Sequence, residues 1–128
     1  MTISCQKKIL FFCLAILMAV FFLYVQLFAT RDALMFIGVW NIDKLVHIAA
    51  GVFIAIFFEW IAPRKRLSYL LLLVGCIAVT WEIFEITFLP DVIYFHQHSP
   101  DLWRLDTAGD ITAGFLGAYS YWVFFRGR

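Results

Sequence analysis

The sequence predicts an all-α integral membrane protein, a four-helix bundle with both termini in the cytoplasm. Three observations predict it. Hydrophobic residues make up 64% of the 128 and charged residues 15%, with a mean hydropathy of +0.90, against roughly 45–50% apolar and about 25% charged in soluble domains. The apolar residues gather into four stretches near the ~20 residues that cross a bilayer core. The basic residues between those stretches fall mostly on one side. A net charge of +1 with no basic tail gives no footprint for nucleic acid, which is not an expected partner.

The first stretch, residues 9–29, is ILFFCLAILMAVFFLYVQLFA and carries no charge. Lys7 and Lys8 ahead of it give the outline of a signal peptide, but the run is longer than a usual apolar region of that kind. Leu27 and Ala29 also make a poor cleavage site before Thr30, so a retained helix is expected. Residues 33–42, ALMFIGVWNI, are too few to cross and are expected along the interface with Trp40 as an anchor. The second stretch, 45–61, comes after Asp43-Lys44 and contains His47 and Glu59; the third, 67–89, carries Glu82 and Glu85. The fourth, 107–125, contains Asp110 and is preceded by Asp106. Residues 90–106 read as an extracytoplasmic loop, with Pro90, Pro100, Tyr94, Phe95 and Trp103 giving it the character of an interfacial lid. Cys5, Cys13 and Cys76 form no CxxC pair and read as small apolar fillers.

Charge placement sets the topology. Lys7, Lys8, Arg64, Lys65, Arg66, Arg126 and Arg128 lie on one side of the four spans, and Arg31, Lys44 and Arg104 on the other, a 7-to-3 split of the ten. The richer side is cytoplasmic by the positive-inside rule, which places the chain in a cell inner or plasma membrane as a single multi-pass domain over 1–128.

With that topology the polar groups inside the spans share one level. His47 lies about a turn into its span from the outer face, Glu85 one turn and Glu82 two turns from the outer end of theirs, and Asp110 a turn below Asp106, at about 1.5 Å per residue. Asp43 and His47, Glu82 and Glu85, and Asp106 and Asp110 are three or four apart, so each pair shares a helix face. A charged group facing lipid costs several kcal/mol, and these are expected to line a polar, outward-opening pocket. Asp43 and Asp106 serve equally well as helix caps; Glu82, Glu85 and Asp110 lie too deep for that. Asp43 is within reach to orient the His47 ring. Lys44 either snorkels or holds an anionic headgroup, and the planar fork of Arg104 suits a phosphate or carboxylate. Glu59, near Arg64 and Lys65, is expected in a surface ion pair at the inner end. His96 and His98 have the spacing of a ligand pair but lack a fixed third ligand. Gly51, Ala113, Gly114, Gly117 and Ala118 are expected to let helices approach closely.

DKLVHIAAG at 43–51, WEIFE at 81–85 and LDTAGDITAGFLGA at 105–118 resemble the VanZ-like integral membrane family and the related small YjdF-like membrane proteins. The resemblance runs from about 43 to 118. It implies that Asp43, Lys44, His47, Glu82, Glu85, Asp106, Asp110 and Gly114 or Gly117 fill the pattern of one polar constellation. Glu85 and Thr112 stand where VanZ-like members often have Gln and Asn, which favours the YjdF-like branch.

A carboxylate cluster with one histidine suits a hard divalent cation, Mg²⁺ or Mn²⁺ before Zn²⁺. The expected activity is metal-assisted hydrolysis or transfer on a lipid-linked or amphiphilic phosphate at the outer face. In this reading His47, Glu82, Glu85 and Asp110 are catalytic, Lys44 and Arg104 hold the substrate, and Asp43, Glu82, Glu85, Asp106 and Asp110 hold the metal. The alternatives are a cation- or proton-coupled small-solute carrier, for which a homodimer would supply missing walls, and a non-catalytic scaffold.

Overall fold

The computed structural model describes residues 5–28, 42–62 and 66–126, and all the regular structure among them is helical. In chain order the helices are α1 (Cys5–Phe28), α2 (Ile42–Ile61), α3 (Leu67–Phe88), α4 (Pro90–His98) and α5 (Pro100–Phe124). The interfacial segment expected over 33–42 lies almost wholly outside the described residues, as do Pro63, Arg64 and Lys65. Two of the described helices, Asp43–Ile61 and Leu67–Phe88, are long and apolar enough to cross a membrane.

The region expected to be a loop over 90–106 is helical, which corrects that boundary. The reason is where the prolines sit. Pro90 and Pro100 each open a helix, at the position where a missing N–H costs nothing and a fixed φ is already helical. Leu89, ahead of Pro90, is extended at φ −99° and ψ 109°, as the residue before a proline is pushed to be. Each break is one residue wide, and backbone bonds close around it, Ile93 N to Leu89 O at 3.0 Å and Trp103 N to Ser99 O at 3.0 Å. Asp101 stands in the first turn of α5, where a carboxylate is favoured. Asp106 is therefore inside α5, not its cap, while Asp43 does sit in the first turn of α2.

Helix α5 is the centre of the packing, with its broadest contact on α2 and a second on α3, while α1 lies against α2. Two glycine contacts set the α2–α5 approach. A Cβ built at Gly51 would collide with the Gly114 carbonyl, and one at Gly117 with the carbonyl of Ile48, so only hydrogen at these positions lets the backbones meet. Ala55, Ile56, Leu70, Val74, Ala118 and Tyr121 form the buried cluster between the three helices. Outside it, large apolar side chains face outward, among them Leu45, Ile61, Leu72, Phe88, Leu116 and Phe124.

A second polar network ties α1 to the other two ends. Lys7 Nζ lies 3.1 Å from Glu59 Oε1, with side chains 11% and 15% exposed, and the Tyr121 hydroxyl donates to Glu59 Oε2. Lys7 also stands over the Tyr121 ring, and Phe11 stacks on Phe53 with centroids 4.4 Å apart. Among the described residues Glu59 thus meets Lys7, 52 positions away, and Tyr121; Arg64 and Lys65, the partners the sequence points to, lie outside the described residues. Removing a carboxylate that two buried partners share strands both. Glu59→Ala is expected to cost roughly 3 kcal/mol, and thermal unfolding of the purified variant checks it.

Candidate functional site

The site forms where the start of α2 meets the first half of α5. On α5, Asp106 and Asp110 are one turn apart and project to the same side. Lys44 comes across from α2 over Gly109, whose hypothetical Cβ would stand 2.9 Å from Lys44 Cε. Glycine there makes room for the lysine stem, and the ammonium reaches both acids. Nζ lies 2.5 Å from Asp106 Oδ1 and 2.5 Å from Asp110 Oδ1. It also donates to Asp43 Oδ2 at 3.2 Å and to the Asp106 carbonyl at 3.3 Å.

His47 closes the other side of the cluster. Its Nε2 is 3.5 Å from Asp43 Oδ1, one turn back on the same helix, and 3.6 Å from Asp110 Oδ1 on α5. Asp43, His47 and Asp110 each bring one ligand atom to within 4.8 Å of the other two. Asp110 is the innermost member, 4% exposed. Burying a carboxylate that deeply is tolerable only with direct partners, and Lys44 and His47 are those partners. Three carboxylates, one ammonium and one imidazole thus meet here.

Helix α3 joins the site more loosely. Glu82 is buried, and its Oε2 accepts from the Thr107 hydroxyl of α5 at 2.7 Å. Glu85 accepts from the indole N–H of Trp81 at 2.7 Å on its own helix and lies close enough to act electrostatically on His47. The expected meeting of residues from three helices therefore resolves into a tight group, Asp43, Lys44, His47, Asp106 and Asp110, with Glu82 and Glu85 beside it. The centre of the group is filled by the lysine ammonium. An apolar concavity lies elsewhere, on α3 along Cys76, Ile77, Thr80, Trp81 and Phe84.

Arg104, expected as an anion clamp, is 72% exposed and pairs with Asp101 at 3.3 Å one turn earlier. Exposed pairs of this kind contribute up to about 1 kcal/mol. Arg104→Ala is expected to leave melting temperature and cation affinity within error of wild type, as thermal unfolding and Mn²⁺ titration check. His96 and His98 are turned to different tasks. His96 meets the Trp103 ring edge-on at 4.6 Å, and His98 stacks on Tyr94 at 3.8 Å with its Nδ1 2.8 Å from the Tyr94 carbonyl. The three cysteines are free and exposed.

Two parts of this arrangement have weak signals in the sequence. Thr107 stands directly after Asp106 and reads as a small polar residue at a helix start, yet it supplies the donor that a buried Glu82 needs. Lys44 lies over Gly109 of α5, a lateral relation that no spacing along one helix reveals. Comparison with known protein families, with curated proteins and with solved structures finds no match for this chain.

Proposed function

We propose that this chain is a membrane-spanning, metal-assisted hydrolase or transferase that acts on the phosphate of a lipid-linked or amphiphilic substrate. The observation that carries the reading is the convergence of His47 Nε2 with one oxygen each of Asp43 and Asp110, from two helices, within 4.8 Å. Two carboxylates and one imidazole, with further acids beside them, suit Mg²⁺ or Mn²⁺ better than Zn²⁺.

Membrane integration is supported by the outward-facing leucines and phenylalanines. A soluble monomer seldom exposes apolar patches beyond a few hundred Å², whereas lipid accepts them. Thr80, Thr87 and Thr112 return their hydroxyls to the carbonyls four residues back at 2.5–2.7 Å, which satisfies them without water. In this reading α1, α2, α3 and α5 cross, both termini are cytoplasmic, and the Asp43–His47–Asp110 group faces the outer leaflet. The Lys7–Glu59–Tyr121 network then lies at the inner end. The likeness of the 43–118 motifs to the VanZ-like and YjdF-like proteins belongs to the same proposal.

A divalent cation bound here would polarise a phosphoryl oxygen and lower the pKa of a bound water. The chain's own residues would do the rest. Asp43, His47 and Asp110 would hold the cation. Glu82, held by the Thr107 hydroxyl, would take the water's proton. Lys44 supplies the positive charge for the substrate anion. The test is turnover of a panel of phospholipids and lipid-linked phosphates by protein in liposomes with Mg²⁺, Mn²⁺ or Zn²⁺. Cation-dependent phosphate release or transfer is expected, and a wild-type protein inert toward the whole panel would refute the catalytic reading.

A second reading, a cation- or proton-coupled carrier, is favoured by Asp110, a buried acid with two exchangeable partners in Lys44 and His47. Solute flux in the same liposomes, driven by a cation or proton gradient and without bond cleavage, separates the two.

A further inference from the structure

Lys44 is placed where a bound cation would need to be. Its Nζ contacts Asp43 and Asp110, two of the three residues that offer atoms to a metal, and on Asp110 the contacted oxygen is the one that faces His47. A metal bonded to that oxygen at about 2.0–2.1 Å and an ammonium 2.5 Å from it would stand close enough to repel one another. Both cations would draw on the same oxygen of Asp110.

Resting on the metal reading above, we propose that Lys44 is a tethered counter-ion that a divalent cation displaces, and that its displacement creates the anion site. Before metal binds, the ammonium neutralises the buried Asp110 and keeps the cluster assembled. When the metal takes Asp43, His47 and Asp110, the ammonium leaves Asp43 and Asp110. Asp106 keeps it nearby, because Asp106 already binds it through both a carboxylate oxygen and the backbone carbonyl and is not among the three converging ligands. Asp106 is also the most exposed of the three aspartates, with a side chain 41% accessible against 27% for Asp43 and 5% for Asp110. The released charge therefore swings toward the open side of the cluster, where a phosphate oxygen can meet it. Cation and anion then bind with positive coupling, each raising the other's affinity by the same factor. Such a lock keeps the anion site closed until the metal is in place.

The experiment uses the full chain in nanodiscs, with Mn²⁺ titrated by electron paramagnetic resonance and inorganic phosphate as the anion probe. Lys44→Met removes the competing charge and keeps the stem over Gly109. It is expected to bind Mn²⁺ at least tenfold more tightly than wild type and to lose the phosphate-induced gain in Mn²⁺ affinity that wild type shows. Lys44→Gln, a polar replacement, serves as the second variant if Lys44→Met fails to assemble, with the same expectation. If wild type binds Mn²⁺ and either folded variant binds it equally or more weakly, the displacement mechanism is wrong while the metal site stands. If neither wild type nor variant binds Mn²⁺, the metal reading falls and the inference with it.

Discussion

Asp110→Asn is expected to abolish saturable Mn²⁺ binding and, if the proposed catalysis holds, to lower turnover at least ~100-fold, while the helices stay assembled. Asparagine preserves the shape of the side chain, and its carbonyl oxygen still accepts from Lys44, so the α2–α5 contact loses a charge and keeps a hydrogen bond. The metal loses a charged ligand at the one carboxylate buried to 4% exposure. Partners that merely orient ligands already cost about 10–100-fold when removed, so loss of a ligand belongs at or beyond the top of that range. Mn²⁺ titration and thermal unfolding of the same preparation check it together. A variant that folds and binds Mn²⁺ like wild type would remove Asp110 from the site.

Gly117→Ala acts on the same site from two turns away. The added methyl would meet the backbone carbonyl of Ile48, which cannot rotate aside as a side chain can. The helices must separate. Overpacking of this kind costs about 1–3 kcal/mol or more, and separation also draws Asp110 on α5 away from His47 and Lys44 on α2. Lower melting temperature and weaker Mn²⁺ binding are therefore expected together. Gly75→Ala is the control, because its new Cβ would meet the Phe115 ring at 3.1 Å, a side chain able to yield, and its effect should be small on both readouts. Equal behaviour of the two variants would contradict the close-approach account.

How far the sequence reads through to the structure differs from element to element. The third apolar stretch is expected over 67–89 and forms Leu67–Phe88; a charge-poor run between Arg66 and Pro90 leaves little else for it to be. The second is expected from 45 and begins at Ile42, because Asp43 is favoured in a first helical turn as well as ahead of one. The 90–106 region misleads for a specific reason. Proline reads as a breaker along the chain, yet at the first helical position it is an initiator, and the two roles differ only in whether the next residues can continue a helix.

At the site, the pairings within one helix are legible and those across helices only in part. Asp43 with His47, and Asp106 with Asp110, come from a four-residue spacing. That Asp110 faces His47 depends on which faces α2 and α5 turn to each other, which the close approach at Gly51 and Gly117 sets. The same limit applies to Glu59. Its sequence neighbours suggest an ion pair with the basic turn, of which Arg64 and Lys65 lie outside the described residues, and its contact with Lys7 requires α1 to lie along α2, a fact of packing. Arg104 is legible as a cation and not as a partner of Asp101, although their three-residue separation allows it.

The central claim is that Asp43, His47 and Asp110 hold one divalent cation. An anomalous difference map from crystals of the full chain grown with Mn²⁺ tests it most directly. A single peak is expected within about 2.0–2.2 Å of Asp110 Oδ1, with density from Asp43 and His47 reaching it and the Lys44 ammonium moved to Asp106. A map with no peak at this level, and Lys44 still bridging Asp43 and Asp110 at saturating Mn²⁺, would contradict the claim.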